Sequence, residues 1–311
     1  MMRYIRYILR KPYLILLNRH KLTRTLTKTD FDVVHVNNGG YPGSLAAIGF
    51  LIFSYRLTFK KLFFVVNNLA VTRKHPLRIF DGLFDFLVER RVTSFVTASD
   101  FAGERLKSVL RTPKVITIPN AVVIDSEYLN QDCANNNFVI GMIGILEKRK
   151  GHTFAINAFK EVIAEIPGAV LLIEGEGELH DSLYQLIQDL GLSERVKLVG
   201  KEENIWAFYA SLDVLLFTSI DNEDMPNVIS EAQGLGIPVV SHKIAGTVEQ
   251  ILHDNTGYLI DIGDETMLVR SLQLLNDRKR RVIFSENARK NYRAKFSPEK
   301  VIKEYLNLYN Y

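Results

Sequence analysis

The 311-residue chain has a single cysteine, Cys133. That excludes an intrachain disulfide and any metal site built from a cysteine cluster, and it fits a reducing compartment. A long apolar run is missing from the start of the chain: between Met1 and Lys28 the longest uncharged stretch is Pro12–Asn18, far short of the ~20 residues that span a bilayer. The extended apolar core and small-residue cleavage site of a secretory signal are also missing, so the expected location is the cytoplasm. Carboxylates are absent from residues 1–28, which carry eight Lys and Arg; this segment is +8, and because the whole chain is +4 the remaining 283 residues are −4. Beyond residue 28 there is no basic stripe interleaved with aromatics, so nucleic acid is not an expected partner.

The basic segment alternates its arginines with Ile5, Ile8, Leu9, Leu14 and Leu17. Such a segment can lie peripherally on an anionic membrane surface, each Lys or Arg contributing about 1 kcal/mol, or form a solvated helix whose apolar side packs on its own domain. Both readings stay open at this point.

With 47% hydrophobic and 24% charged residues, the chain has side chains enough for two cores. From residue 31 short β-branched runs alternate with helix-compatible stretches, the signature of βαβ units and an α/β doubly wound sheet. The runs at 32–37, 62–68, 94–99 and 114–120 predict strands, with helices near 43–56, 77–90 and 100–110. Residues 123–137 lose the periodicity and gather Asn and Asp, which marks an interdomain linker. A second series follows: strands at 138–144, 169–177, 196–200 and 256–260, helices near 151–165, 178–190, 264–276 and 279–293, and a last helix capped by Ser297 with Pro298 at its first position. The expected organisation is a basic segment 1–28, a shortened Rossmann-like domain 29–122, a linker 123–137 and a second Rossmann-like domain 138–311. Ligands of such sheets sit beyond the carboxyl ends of the strands, so the expected site is a cleft between the two halves.

Two stretches carry candidate chemistry. In "EDMPNVISEAQGLGIPVV", Pro226 predicts a helix starting at 225 or 226, which leaves Glu223 in the preceding loop and Glu231 on the helix; Gly234 and Gly236 end it. The N–H groups of Met225, Asn227 and Val228 then point out of the helix N-terminus, where they and the dipole favour a phosphate lying between the two carboxylates. In "IGMIGILEKRKGHTF", Lys148, Arg149 and Lys150 follow a strand and can neutralise phosphate charge. Alone, each stretch also reads as a solvated surface.

The ordered succession "IGMIGILEKRKGHTFAINAF", "LLIEGEGE", "VKLVG", "SLDVLLFTS", "EDMPNVISEAQGLGIPVVS" and "AGTVEQILHDNTGYLI" resembles the donor domain of the retaining glycosyltransferases of family 4, over residues 138–311. The resemblance implies a GT-B fold and a hexosyltransferase of surface-polysaccharide or glycolipid biosynthesis. Its partners would be a nucleotide-diphosphate sugar and a saccharide or lipid-linked saccharide acceptor, and it would need neither metal nor cofactor. It puts Glu223 on the donor sugar, Glu231 on the ribose hydroxyls, Lys150 on the diphosphate with Arg149 beside it, and Gly200 and Lys201 near the base. The family usually has an arginine where this chain has Ile145, and Arg149 and Lys148 are the candidates to replace it. In the first half "DVVHVNNGGYPGS" resembles the acceptor-facing strand and loop, with His35 and Asn37 expected at the strand end and Gly39 and Gly40 letting the backbone approach a ligand. His35 reads either as a catalytic residue or as a strand histidine bonded to its neighbours. Only 31 residues precede "DVVH", where the family normally has a further βα unit or two, so a glycosyltransferase-like subunit that binds a nucleotide sugar or a partner enzyme stands as the alternative.

Overall fold

The β-branched runs form strands and the stretches between them helices in the computed structural model, which describes residues 31–71, 82–128 and 137–310. The basic segment 1–28 and residues 129–136 of the expected linker lie outside the described residues. The chain divides into two compact units, Met1–Pro119 with Glu304–Tyr311, and Asn120–Lys303.

In the first unit β1 (Val33–Asn38), β2 (Lys61–Val66), β3 (Ser94–Thr97) and β4 (Val115–Thr117) form a parallel sheet in that order. Helices α1 (Leu45–Phe53), α2 (Gly82–Arg91) and α3 (Asp100–Lys107) lie between the strands in sequence. Period-2 alternation turns Leu62, Phe64 and Val66 of β2 into one core with Leu51, Val88, Phe95 and Leu106. Ser44 and Ser99 cap α1 and α3, accepting from the N–H groups of Ala47 at 3.1 Å and Ala102 at 2.9 Å.

The second unit holds β5 (Phe138–Ile143), β6 (Ala169–Glu174), β7 (Val196–Gly200), β8 (Val214–Phe217), β9 (Val239–His242) and β10 (Gly257–Ile260), all parallel, in the order β10-β9-β8-β5-β6-β7. Its helices are α4 (His152–Glu165), α5 (His180–Asp189), α6 (Ile205–Ala210), α7 (Asn227–Leu235), α8 (Thr247–Gln250), α9 (Glu265–Asn276) and α10 (Arg278–Lys295). A last helix, α11 (Pro298–Asn310), starts as expected with Ser297 before it. The sheet separates two cores: Ile140, Met142, Val214 and Leu216 belong to one, while Val139, Leu215 and Phe217 belong to the other. Strands buried on both faces explain why these runs are continuously apolar. The order reverses between β5 and β8, which makes their carboxyl ends the topological switch point.

The division between the units differs from the expected one. Residues 120–125 are docked on the second unit: the Val122 N–H donates to Phe296 O at 3.1 Å, the Tyr292 hydroxyl donates to Val122 O at 2.6 Å, and Ile124 packs on one of the two cores. The end of α11 belongs to the first unit because Tyr305 and Tyr309 lay their rings on His35 and Phe63, and Lys61 Nζ donates to Tyr309 O at 3.1 Å. Among the described residues no helix is long and apolar enough to cross a membrane.

Candidate active site

Two loops leave the switch point of the second unit, and they carry the charged residues singled out in the sequence. The first runs from Gly144 to Gly151, with Lys148–Lys150 forming a single helical turn; the second runs from Thr218 to Pro226. They are tied to each other through the Ile220 N–H, which donates to Arg149 O at 2.8 Å, and Thr218 Oγ1, which donates to Lys150 O and Gly151 O at 3.1 Å. Gly151 has a φ of 73°, and a Cβ there would stand 2.1 Å from Thr218 O. Any other residue would push the loops apart.

Glu223 lies at the centre of this junction, in the loop, as its place before Pro226 predicts. Lys150 Nζ donates to its Oε1 at 2.6 Å, Arg149 Nη1 donates to the same oxygen, and Ser219 Oγ is 3.3 Å away. Arg149 Nε also pairs with Glu147 at 2.6 Å. The side chains of Arg149, Lys150 and Glu223 are 29%, 16% and 12% exposed, so their attraction is screened far less than that of a surface pair. Ile145, the residue at the place of the family's arginine, is exposed. Arg149 reaches the junction from four residues further on.

Helix α7 begins one residue later than its sequence suggests. Pro226 has the φ of −65° that suits a first helical position, but its ψ of 126° is extended, so it is the cap and Asn227 the first helical residue. Met225 therefore stays in the loop with its side chain buried, and its N–H is not one of the helix donors. Asn227 and Val228 are in the first turn, and Asn120 Nδ2 donates to Asn227 Oδ1 at 3.2 Å. Gly236, in the left-handed conformation, ends α7; Gly234 lies within it. One turn in, Glu231 accepts a 2.5 Å hydrogen bond at Oε2 from the hydroxyl of Tyr209, which is fully buried on α6. Burial raises the Glu231 carboxyl pKa, and the tyrosine bond acts in the opposite sense.

Gly200 closes β7 with a φ of 75°, followed by Lys201. This turn is held from the end of β6: the Gly175 N–H donates to Gly200 O at 2.8 Å, and the Glu202 N–H donates at 3.3 Å to Glu174, a buried carboxyl whose pKa burial raises.

His152 opens α4 two residues after Lys150 and is buried, and its Nδ1 has no hydrogen-bond partner among the described residues. Burial, with Lys150 second, lowers its pKa from 6.5 to about 4. The folded value lies below the unfolded one, so this histidine favours the folded state fully above pH 6.5. Acidification towards pH 4 should remove about 3 kcal/mol through this group alone. Urea unfolding of the wild type and His152→Asn across that range checks it: the variant should lose less stability on acidification.

In the first unit one of the expected acceptor residues, His35, is placed differently from its prediction. His35 is third of the six residues of β1, opposite Phe63, and not at the strand end. Its Nδ1 lies 2.6 Å from Tyr309 Oη and its ring 5.4 Å from that of Tyr305, which matches the reading of a strand histidine bonded to its neighbours. Asn37 accepts from Asn67 Nδ2. After the strand, Gly39 and Gly40 lie in a loop organised by a residue the sequence reading passed over, Asn38. Its Nδ2 donates to Gly40 O at 2.6 Å and its Oδ1 accepts from the Ser44 N–H at 3.1 Å. Gly43 has a φ of 73° and faces this amide so closely that a Cβ would overlap it. A cavity of about 440 Å³ in this unit, lined by Lys61, Phe63, Ser94, Lys114, Ile116 and Leu308, opens largely at the amino ends of β2–β4, the end where such sheets do not place their ligands.

Tyr209, Ser219, Glu147 and Glu174 were not singled out from the sequence. Their partners are 22, 4, 2 and 28 residues away, and only the packing of separate elements brings the distant pairs together.

Residues 130–291, just over half of the chain, match the family model described as glycosyl transferases group 1. The chain belongs to the group 1 glycosyltransferases. It is 33% identical over 172 residues to the lipopolysaccharide core biosynthesis glycosyltransferase LpsE of Rhizobium meliloti, covering 55% of this chain and 49% of that one. It is 31% identical over 155 residues to the N-acetyl-alpha-D-glucosaminyl L-malate synthase of Bacillus anthracis, covering 50% and 40%. The chain thus spans half or less of the length of these curated relatives. The crystal structure of Anabaena HepE in complex with UDP superposes with a TM-score of 0.77 at 21% identity, covering 93% of this chain and 81% of that one. The fold is the GT-B fold of glycosyltransferases.

Proposed function

We propose that this glycosyltransferase moves a hexose from a nucleotide-diphosphate sugar to a saccharide or lipid-linked saccharide, with retention of configuration, in surface-polysaccharide or glycolipid assembly. The observation that carries this reading is the convergence of Lys150 and Arg149 on one point at the switch of the second sheet, beside the N-terminus of α7. Two cations and a helix dipole at one place suit a diphosphate, and they supply the charge that a metal would otherwise bring. HepE was crystallised with UDP, and one relative works in lipopolysaccharide core synthesis, which fits such a donor and a glycolipid product.

In the proposed mechanism the C1–O bond to the leaving diphosphate breaks while the acceptor oxygen bonds C1 on the same face. A non-bridging oxygen of the departing phosphate takes the acceptor's proton. Lys150, Arg149 and the N–H groups of Asn227 and Val228 stabilise the charge that develops on the diphosphate. Glu223 holds hydroxyls of the donor sugar, Glu231 the ribose, and the turn at Gly200 and Lys201 the base. His35, tied to Tyr309 in mid-strand, is given no part in the chemistry. Arg149 provides the second cation that Ile145 does not, and this favours an enzyme over a subunit that only binds nucleotide sugars.

Glu231→Ala tests the donor site. Losing hydrogen bonds to a charged group, worth about 1.5–3 kcal/mol each, should weaken nucleoside diphosphate binding at least tenfold in calorimetry. An unchanged dissociation constant would remove Glu231 from the site. For the acceptor, we propose a membrane surface engaged by the basic residues 1–28. Deleting residues 1–20 should reduce co-sedimentation with anionic vesicles at low salt; equal partition of both forms would refute this part.

A further inference from the structure

Tyr209 has the geometry of a positioning group that the proposed reaction does not yet use. It sits on α6 with its ring fully buried in a core against Trp206, and its hydroxyl points at the first turns of α7. There the hydroxyl donates to Glu231 Oε2 at 2.5 Å and lies 3.4 Å from Val228 O. A half-buried carboxylate on a helix can ordinarily rotate about its last bond. Here one oxygen is held by a donor that cannot move, because the ring carrying it is packed on all sides. Oε1 and the remaining lone pair of Oε2 are thereby left in a fixed plane.

We propose that Tyr209 sets the plane of the Glu231 carboxylate and so makes the site selective for ribonucleoside over 2′-deoxyribonucleoside diphosphates. The inference rests on the reading of Glu231 as the ribose-binding residue. A vicinal diol places two O–H donors on one edge, and a carboxylate fixed in plane accepts both at once. A carboxylate free to rotate does nearly as well with one hydroxyl as with two, because it can turn towards whichever is present. Fixing the plane therefore penalises the loss of the 2′-hydroxyl. Phenylalanine at 209 would keep the packing, free the carboxylate and remove the hydrogen bond that favours its ionised form. Among the described residues the charged groups acting on the Tyr209 hydroxyl are Glu231 from α7 and Glu174 from β6, both acidic, so neither takes over the tyrosine's part.

Calorimetry with UDP and 2′-deoxy-UDP, and with GDP and 2′-deoxy-GDP, on wild type, Tyr209→Phe and Glu231→Ala from pH 5 to 8 tests the proposal. The wild type should prefer the ribonucleotide roughly ten- to hundredfold, the worth of a hydrogen bond to a charged group. Tyr209→Phe should reduce that preference to a few-fold and move the midpoint of the affinity–pH curve upward, while Glu231→Ala abolishes the preference. Full preference and an unmoved midpoint in Tyr209→Phe would overturn the proposal while leaving Glu231 as the ribose residue. No preference in the wild type would overturn both. If Tyr209→Phe does not fold, Glu231→Asp serves: it keeps the charge and the tyrosine but shortens the reach to the hydroxyl. Loss of preference supports the proposal, and full preference overturns it.

Discussion

Alanine at position 150 should lower the rate of sugar transfer on the order of a hundredfold or more, the usual effect of removing a preorganised group from a developing negative charge. Lys150 is held where the proposed mechanism puts that charge. Its Nζ reaches Glu223 Oε1 at 2.6 Å, and its backbone is fixed by Thr218 Oγ1 and by the turn at Gly151. A lysine placed by two loops that are bonded to each other has little freedom to lose when a diphosphate arrives, so its contribution falls on the transition state. The loss should therefore appear chiefly in kcat, with a smaller rise in KM for the donor sugar. Arg149→Ala should show the same pattern, because its guanidinium shares the oxygen that Lys150 contacts. Steady-state kinetics with a saturating acceptor separates the two parameters. A full loss in KM with kcat untouched would mean that Lys150 binds the donor without assisting departure.

Glutamine at position 223 should change binding and turnover in opposite directions. Glu223 Oε1 takes the positions on Lys150 and Arg149 that the proposed mechanism gives to a phosphate oxygen. A diphosphate must displace the carboxylate from both cations before it can bind there, and this competition weakens its affinity. A neutral amide competes less, so UDP or GDP should bind several-fold to tenfold more tightly, within the range of a charge-assisted hydrogen bond. Transfer should nevertheless slow roughly ten- to hundredfold, because the amide does not replace the carboxylate as acceptor for the sugar's hydroxyls. Tighter nucleotide with slower transfer is an unusual pairing, and a simple disruption of the loop does not produce it. Weaker nucleotide binding in Glu223→Gln would show that the carboxylate supports the cations' arrangement more than it competes with the ligand.

The parts of this fold that the sequence made legible are those set by local pattern. Buried parallel strands give continuous apolar runs, and β5, β6, β7 and β10 lie where those runs stand. Pro226 separated Glu223 from Glu231 because proline suits only the start of a helix, although its ψ placed it one residue outside. What was not legible depended on tertiary contacts. Tyr209 looks like one more apolar position of "FYASLDV" until α6 is packed against α7. His35 reads as a strand-end residue because nothing near it announces Tyr305 and Tyr309, some 270 residues later. Those same tyrosines drew the end of α11 to the first unit, against an expectation that counted the whole C-terminus with the second. Ile145 suggests a missing charge, since a motif read by position does not show that a side chain four residues on pairs with Glu223.

The most direct test is a titration of the purified chain with UDP and with GDP, in the presence of a chelator, on the wild type and on Lys150→Ala and Glu231→Ala. The account predicts that one of the two nucleotides binds the wild type without a divalent ion and that each variant binds it at least tenfold more weakly, from opposite ends of the same ligand. Binding that needs a divalent ion, or that is equal in all three proteins, would contradict it.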